Sequence, residues 1–148
     1  MDPAKNHIRV TPSVSIDGNA QPLAFHTIAR SGQGFPCLNG EEGCEEVYGL
    51  MKDNTAAPVM VTNDTGYPKS LMDVSDNPDF SSLIQVGDSM FSLVQFEWPN
   101  PGVMYLLKLD QDAEGNLHPT AGEMIDWSHQ GGLWIPCAGS LRYAFRAR

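Results

Sequence analysis

Three cysteines and a scatter of carboxylates are the residues of this 148-residue chain with the chemistry to bind a metal or form a covalent link. Cys137 lies in Gly131-Gly132-Leu133-Trp134-Ile135-Pro136-Cys137-Ala138-Gly139-Ser140. The paired glycines let a strand start where backbones approach closely, and Pro136 then ends regular pairing and presents the thiol at a strand end. A thiolate held there is a candidate metal ligand, and a buried inert thiol is the plainer alternative. Cys37 and Cys44 bracket a loop rich in glycine and acid, Ser31 to Glu46. It lacks the Lys-Ser/Thr that a phosphate loop needs, and two cysteines are not the four ligands of a structural zinc site. In an oxidising compartment the expected product is a local Cys37–Cys44 disulfide, and an odd cysteine count leaves one thiol over. The nearby Glu41, Glu42, Glu45 and Glu46 either gather calcium or form a solvated acidic loop.

Asp110-Gln111-Asp112-Ala113-Glu114-Gly115 puts carboxylates at positions one, three and five of an EF-hand loop and glycine at position six. Position twelve is Ala121, where calcium needs a bidentate Glu, so the segment reads as a polar turn between strands. His26 sits in an alternating stretch with no second ligand at metal spacing, and reads as a histidine in or beside a core. His118 and His129 have no serine or cysteine in a nucleophile-elbow setting, which makes a self-sufficient hydrolase a poor reading.

The elements that must position these groups are short. Fourteen Gly and eleven Pro interrupt any long amphipathic helix, and 41% hydrophobic residues are enough for one core. The expectation is an all-β chain of antiparallel meanders, and four strands joined by short turns make either one propeller blade or part of a sandwich. Residues 1–22 read as an N-terminal arm with weak strand candidates at Ile8–Val10 and Ser13–Ile16. Leu23–Ala29 alternates as a short buried strand does, and Val47–Met51 with Pro58–Val61 reads as a hairpin. Asn63 to Phe80 reads as a polar surface loop. Ser82–Val86, the turn Gly87-Asp88, Ser89–Phe96 and the interior-strand pattern Val103–Leu109 form the strongest local signal. A fourth strand is expected near Leu117–Pro119 or Glu123–Trp127.

Eighteen acidic against nine basic residues give a net charge of −9, which repels phosphate backbones and anionic membranes, so no nucleic-acid or membrane partner is expected. No segment has the apolar length of a bilayer span, and Met1–Ile8 lacks the apolar core of a secretory signal.

From Leu83 to Ser140 the chain resembles the PhoX-type alkaline phosphatase family. The resemblance rests on Gln95-Phe96-Glu97, on Pro101-Gly102-Val103-Met104-Tyr105-Leu106 with Leu109-Asp110-Gln111-Asp112, and on Gly131 to Ser140. Upstream, Phe25 to Gly32 and Tyr48 to Asp53 fit the same relatives. The resemblance implies a β-propeller over residues 23–140, here incomplete, whose central opening holds iron and calcium and cleaves phosphate monoesters. It also implies that Cys137 is an iron ligand and that Glu97 is a second metal ligand. The family segment often reads Asn-His-Glu, and here it reads Gln95-Phe96-Glu97.

After Ser140 the relatives continue through a Thr-Pro-Trp stretch to an acidic pair of further ligands, whereas Leu141 to Arg148 is a basic tail. That tail reads as a shifted frame or premature stop. The expectation is therefore an N-terminal phosphatase fragment, inactive alone, that acts on a phosphate ester only if completed and is prone to self-association through open strand edges. The resembled family is exported to the periplasm or beyond, and this chain shows no signal peptide, so localisation is left open. The competing expectation is a small all-β module that binds another protein and catalyses nothing.

Overall fold

Alternation in Ser89–Phe96 (β6) and a near-continuous apolar run in Val103–Gln111 (β7) make these the two central strands of the four-stranded sheet. The structure, a computed structural model, describes residues 11–53, 55–60, 72–97, 102–133 and 136. Before the central pair come Ser13–Ile16 (β1), Asn19–Pro22 (β2), Gly34–Pro36 (β3), Glu45–Val47 (β4) and Pro78–Val86 (β5), and after it Leu117–Met124 (β8). These form three antiparallel sheets: β1-β2, β3-β4, and a four-stranded meander in the order β5-β6-β7-β8. Among the described residues the sheets do not close into a barrel or a propeller.

The meander follows from local chemistry. Gly87 takes a φ of 59° between Val86 and Ser89, as the expected two-residue turn requires. Register then sorts the side chains. Met90, Ser92, Val94 and Phe96 of β6 stand opposite Leu109, Leu107, Tyr105 and Val103 of β7, and this face carries the core together with Phe35, Tyr48 and Met51. Tyr48 makes edge-to-face contacts with Phe96 at 5.0 Å and Tyr105 at 5.5 Å between ring centres. Tyr105, Phe96, Met51 and Leu107 are fully buried, each worth roughly 2–3 kcal/mol of transfer free energy.

β3 lies against β8 at Gly122, whose missing side chain leaves room for Leu107 of the neighbouring strand. A Cβ there would sit 2.9 Å from Leu107 Cδ2 and 3.5 Å from Phe35 Cβ. The approach is completed by a parallel bridge between Cys37 and Gly122. The other face of the meander carries Phe80 and Ile84 of β5, Phe91 and Leu93 of β6, and Met104 and Leu106 of β7.

Several expectations need correction. Leu23–Ala29 is not a strand: Leu23 is 49% and Phe25 82% exposed, and only Ile28 and Ala29 reach the core. Among the described residues no strand pairs with this stretch, and unpaired alternation leaves Leu23 to Thr27 exposed. His26 is accordingly exposed rather than packed beside a core. β5 begins at Pro78, inside the expected loop, whereas β8 starts at Leu117, in the first of the two stretches expected for it, and runs on into the second. The hairpin after β4 forms only as isolated bridges, Lys52↔Pro58 with Val59 N–H donating to Met51 O at 2.8 Å. In the arm, Ser13–Ile16 is a strand, paired with β2 in an exposed hairpin. Ile8–Val10, Val61, the first part of the loop expected from Asn63, Cys137 and the basic tail lie outside the described residues. Among those described, no helix is long and apolar enough to cross a membrane.

Candidate functional site

The densest polar grouping is assembled where β4, the hairpin after it and the end of β8 meet. Lys52 Nζ bonds both carboxylate oxygens of Glu46 at 2.6 and 2.8 Å, with the two side chains 16% and 14% exposed. Tyr105 reaches the same region from the core and donates its hydroxyl to Leu50 O at 2.7 Å. Its phenol is pushed well above the ordinary tyrosine range, first by burial and then by the Glu46 carboxylate, and burial pushes Tyr48 up to about 12. Both phenols are neutral at physiological pH and cannot act as phenolate base or ligand.

Lys52 and Asp53 face Asp126, Trp127 and Ser128 across a crevice of about 20 Å³. Trp127 stacks on His129 with ring centres 6.4 Å apart and planes at 12°. A crevice of this size holds about one water molecule, far below the several hundred Å³ of an organic-ligand pocket. Among the described residues that line it there is no His or Cys. The grouping ties β4, the hairpin and the chain after β8 together.

Glu97 follows β6. Its N–H donates to Asn77 O at 3.1 Å, and its own carbonyl accepts from Asn77 Nδ2 at 3.4 Å. Gly102, at the same end of the sheet, donates its N–H to Leu133 O at 2.8 Å. The glycine-rich segment that precedes Cys137 therefore returns beside the strand ends near Glu97, although Cys137 itself is outside the described residues. Among the described residues no three His, Cys, Asp or Glu side chains gather as an iron or calcium site needs.

Cys37 and Cys44 form the expected local disulfide, with Cα atoms 5.5 Å apart. The EF-hand-like segment is the β7–β8 turn: Asp112 accepts from Glu114 N–H, Asn116 N–H and Asn116 Nδ2 at 2.7–3.1 Å. Its carboxylate is consumed by the turn.

Similar side-chain-to-backbone turns are built on Asp53, with Thr55 and Ala57, and on Asp126, with Ser128. Hydrogen bonds hold all three carboxyls below the usual value of 3.8: chiefly from the Thr55 side chain to Asp53, the Asn116 side chain to Asp112 and the Ser128 backbone to Asp126. A carboxyl whose folded pKa is depressed contributes stability above its unfolded pKa and loses it as pH falls through the folded value. Asp73 runs the other way, raised by burial and then by Asp76, so its protonation on acidification favours the fold. An NMR titration from about pH 5 to 2 is expected to move the amides of Thr55, Asn116 and Ser128 together as the turns open. Amide shifts that stay constant over that range contradict the assignment.

Sequence reasoning missed Glu46–Lys52, Tyr105–Leu50 and Trp127–His129. A Glu and a Lys six residues apart across a turn-rich stretch carry a weak pairing signal, whereas nothing local links Tyr105 to Leu50. Compared with models of known protein families, with curated proteins and with solved structures, the chain finds no match in any of the three.

Proposed function

We propose that this chain is a protein-binding β-module that captures an extended segment along β5. One observation carries the reading: the two edges of the meander differ. β8 is flanked by β3 and bridged at Cys37↔Gly122, whereas among the described residues β5 pairs only with β6. Natural edges are blunted by proline, charge or a bulge, and β5 has all three at one end, with Pro78, Asp79 and a register shift between Pro78 and Phe80. From Phe80 to Val86 it has no charge and no proline, and Leu83 and Val86 are 49% and 63% exposed. A strand added there gains main-chain hydrogen bonds and places alternate side chains on two apolar faces.

Displayed random peptides selected on the immobilised chain, followed by hydrogen exchange, test this. Binders are expected to slow exchange of the Phe80–Val86 amides. Selection that yields no binder, or binders that protect other segments only, contradicts the reading.

A second reading is favoured by a different observation. Both faces of the meander are apolar, and the Gln95 carboxamide oxygen is buried on the second face without a hydrogen-bond partner among the described residues. A propeller blade, packed between two neighbours, needs two such faces. On this reading the meander is one blade of a PhoX-like phosphatase, with Glu97 and Cys137 contributing to an iron and calcium site completed by further chain. The nucleotide sequence past codon 141 is the test. A shifted frame encoding Thr-Pro-Trp and an acidic pair supports the reading, and the absence of one in all three frames removes it.

A further inference from the structure

Resting on the strand-capture reading, we infer that the segment captured by β5 is the β5 of a second copy, paired antiparallel about a two-fold axis at Ser82. The register is self-complementary. With Ser82 opposite Ser82 of the second copy, Phe80 faces Ile84, Ser81 faces Leu83, Asp79 faces Gln85 and Pro78 faces Val86. No like charges stand opposite each other, and the two copies of Asp79 fall about 20 Å apart along the strands. Because residues of even number share one face in β5, the Phe80–Ile84 pairs extend the apolar surface formed by Phe91, Leu93 and Leu106. The meander becomes an eight-stranded sheet continuous across the interface.

The difference between the edges also sets the stoichiometry. An open edge at both ends of a sheet permits head-to-tail growth, whereas one open edge paired with its own copy closes after a single step. Among the described residues β8 is bridged to Cys37 at Gly122, and a β5 that meets its own copy about the two-fold axis leaves no β5 edge unpaired, so the product is a closed dimer. Each chain carries −9, so the bodies repel and salt strengthens the pairing by screening. A basic peptide on the same edge shows the opposite salt dependence.

The experiment is sedimentation equilibrium of the full chain and of its S82K and S82E variants, with circular dichroism confirming the β-signal of each. Wild-type chain is expected to show twice the chain mass, with the dimer tightening between low and high salt. S82K alone and S82E alone are expected to weaken the dimer by about tenfold or more, since like charges then stand directly opposite on the axis. An equimolar mixture of the two variants is expected to recover it as a mixed dimer.

A dimer indifferent to either variant, or a mixture that fails to recover, overturns the inference. A chain that stays monomeric at about 100 μM also overturns it, that being too weak for a specific pairing. In the monomeric case the peptide selection separates the two claims. Binders that protect Phe80–Val86 leave strand capture standing with a foreign partner, and their absence removes both.

Discussion

Tyr105→Ala is expected to cost about 4 kcal/mol of folding stability and Tyr105→Phe about 1.5 kcal/mol, read from urea denaturation midpoints at constant slope. The two numbers separate two roles. The ring fills a fully buried position between Tyr48 and Phe96, and its removal leaves a cavity among aromatic neighbours. The hydroxyl satisfies the Leu50 carbonyl, and Phe keeps the packing while leaving that buried acceptor unpaired. Against total stabilities on the order of 5–15 kcal/mol the alanine change brings the chain close to unfolding.

The same hydroxyl gives an alkaline signature. Burial raises the Tyr105 and Tyr48 phenols in the fold, so their contribution is intact below the ordinary value of 10.0 and declines as pH rises above it. Tyr105→Phe is expected to remove part of that alkaline decline. Equal costs for the two substitutions, or a Phe variant with unchanged pH dependence, contradict the division of roles.

The second large effect is expected from the Cys37–Cys44 bond. Closing a loop of this length stabilises by about 2.5 kcal/mol in the chain-entropy description, and the bridge fixes the stretch whose Cys37 meets Gly122 at the β8 edge. Reduction, or the C37S/C44S double variant, is expected to lower the melting temperature by about 5–10 °C. Exchange should also speed up at the β8 amides near Gly122, since the β3 approach depends on this loop, while the β5–β6 amides keep their protection relative to global unfolding. A reduced protein with the same melting temperature and unchanged β8 exchange would show that the loop holds its place without the bond.

Along the chain, what was legible was what is local. A strand with one face in a core must alternate, so Ser89–Phe96 announced itself; Val103–Leu109 did so as a near-continuous apolar run, and Gly87-Asp88 announced the turn between β5 and β6 because few residues accept a left-handed backbone. Proximity in sequence made Cys37 and Cys44 natural partners, and Ala121 at the twelfth loop position marked Asp110–Gly115 as a turn. Leu23–Ala29 shows the limit of the same logic. It alternates as well as a real strand does, yet it stays exposed, because alternation states that a segment can pair and not that a partner is at hand.

The candidate site was illegible for a related reason. Tyr105 and Leu50 are joined across 55 positions, and the contact exists only because β4 and the hairpin fold over the meander. The Glu46–Lys52 pair and the crevice at Trp127 arise from the same docking. Composition and alternation therefore determined by themselves that this is an acidic, antiparallel β chain, since charge and period-two burial are properties of single segments. Only the tertiary structure decided which sheet edge is flanked and which stays open, because that depends on Phe35 packing at Gly122, a contact between residues 87 positions apart that no local pattern encodes.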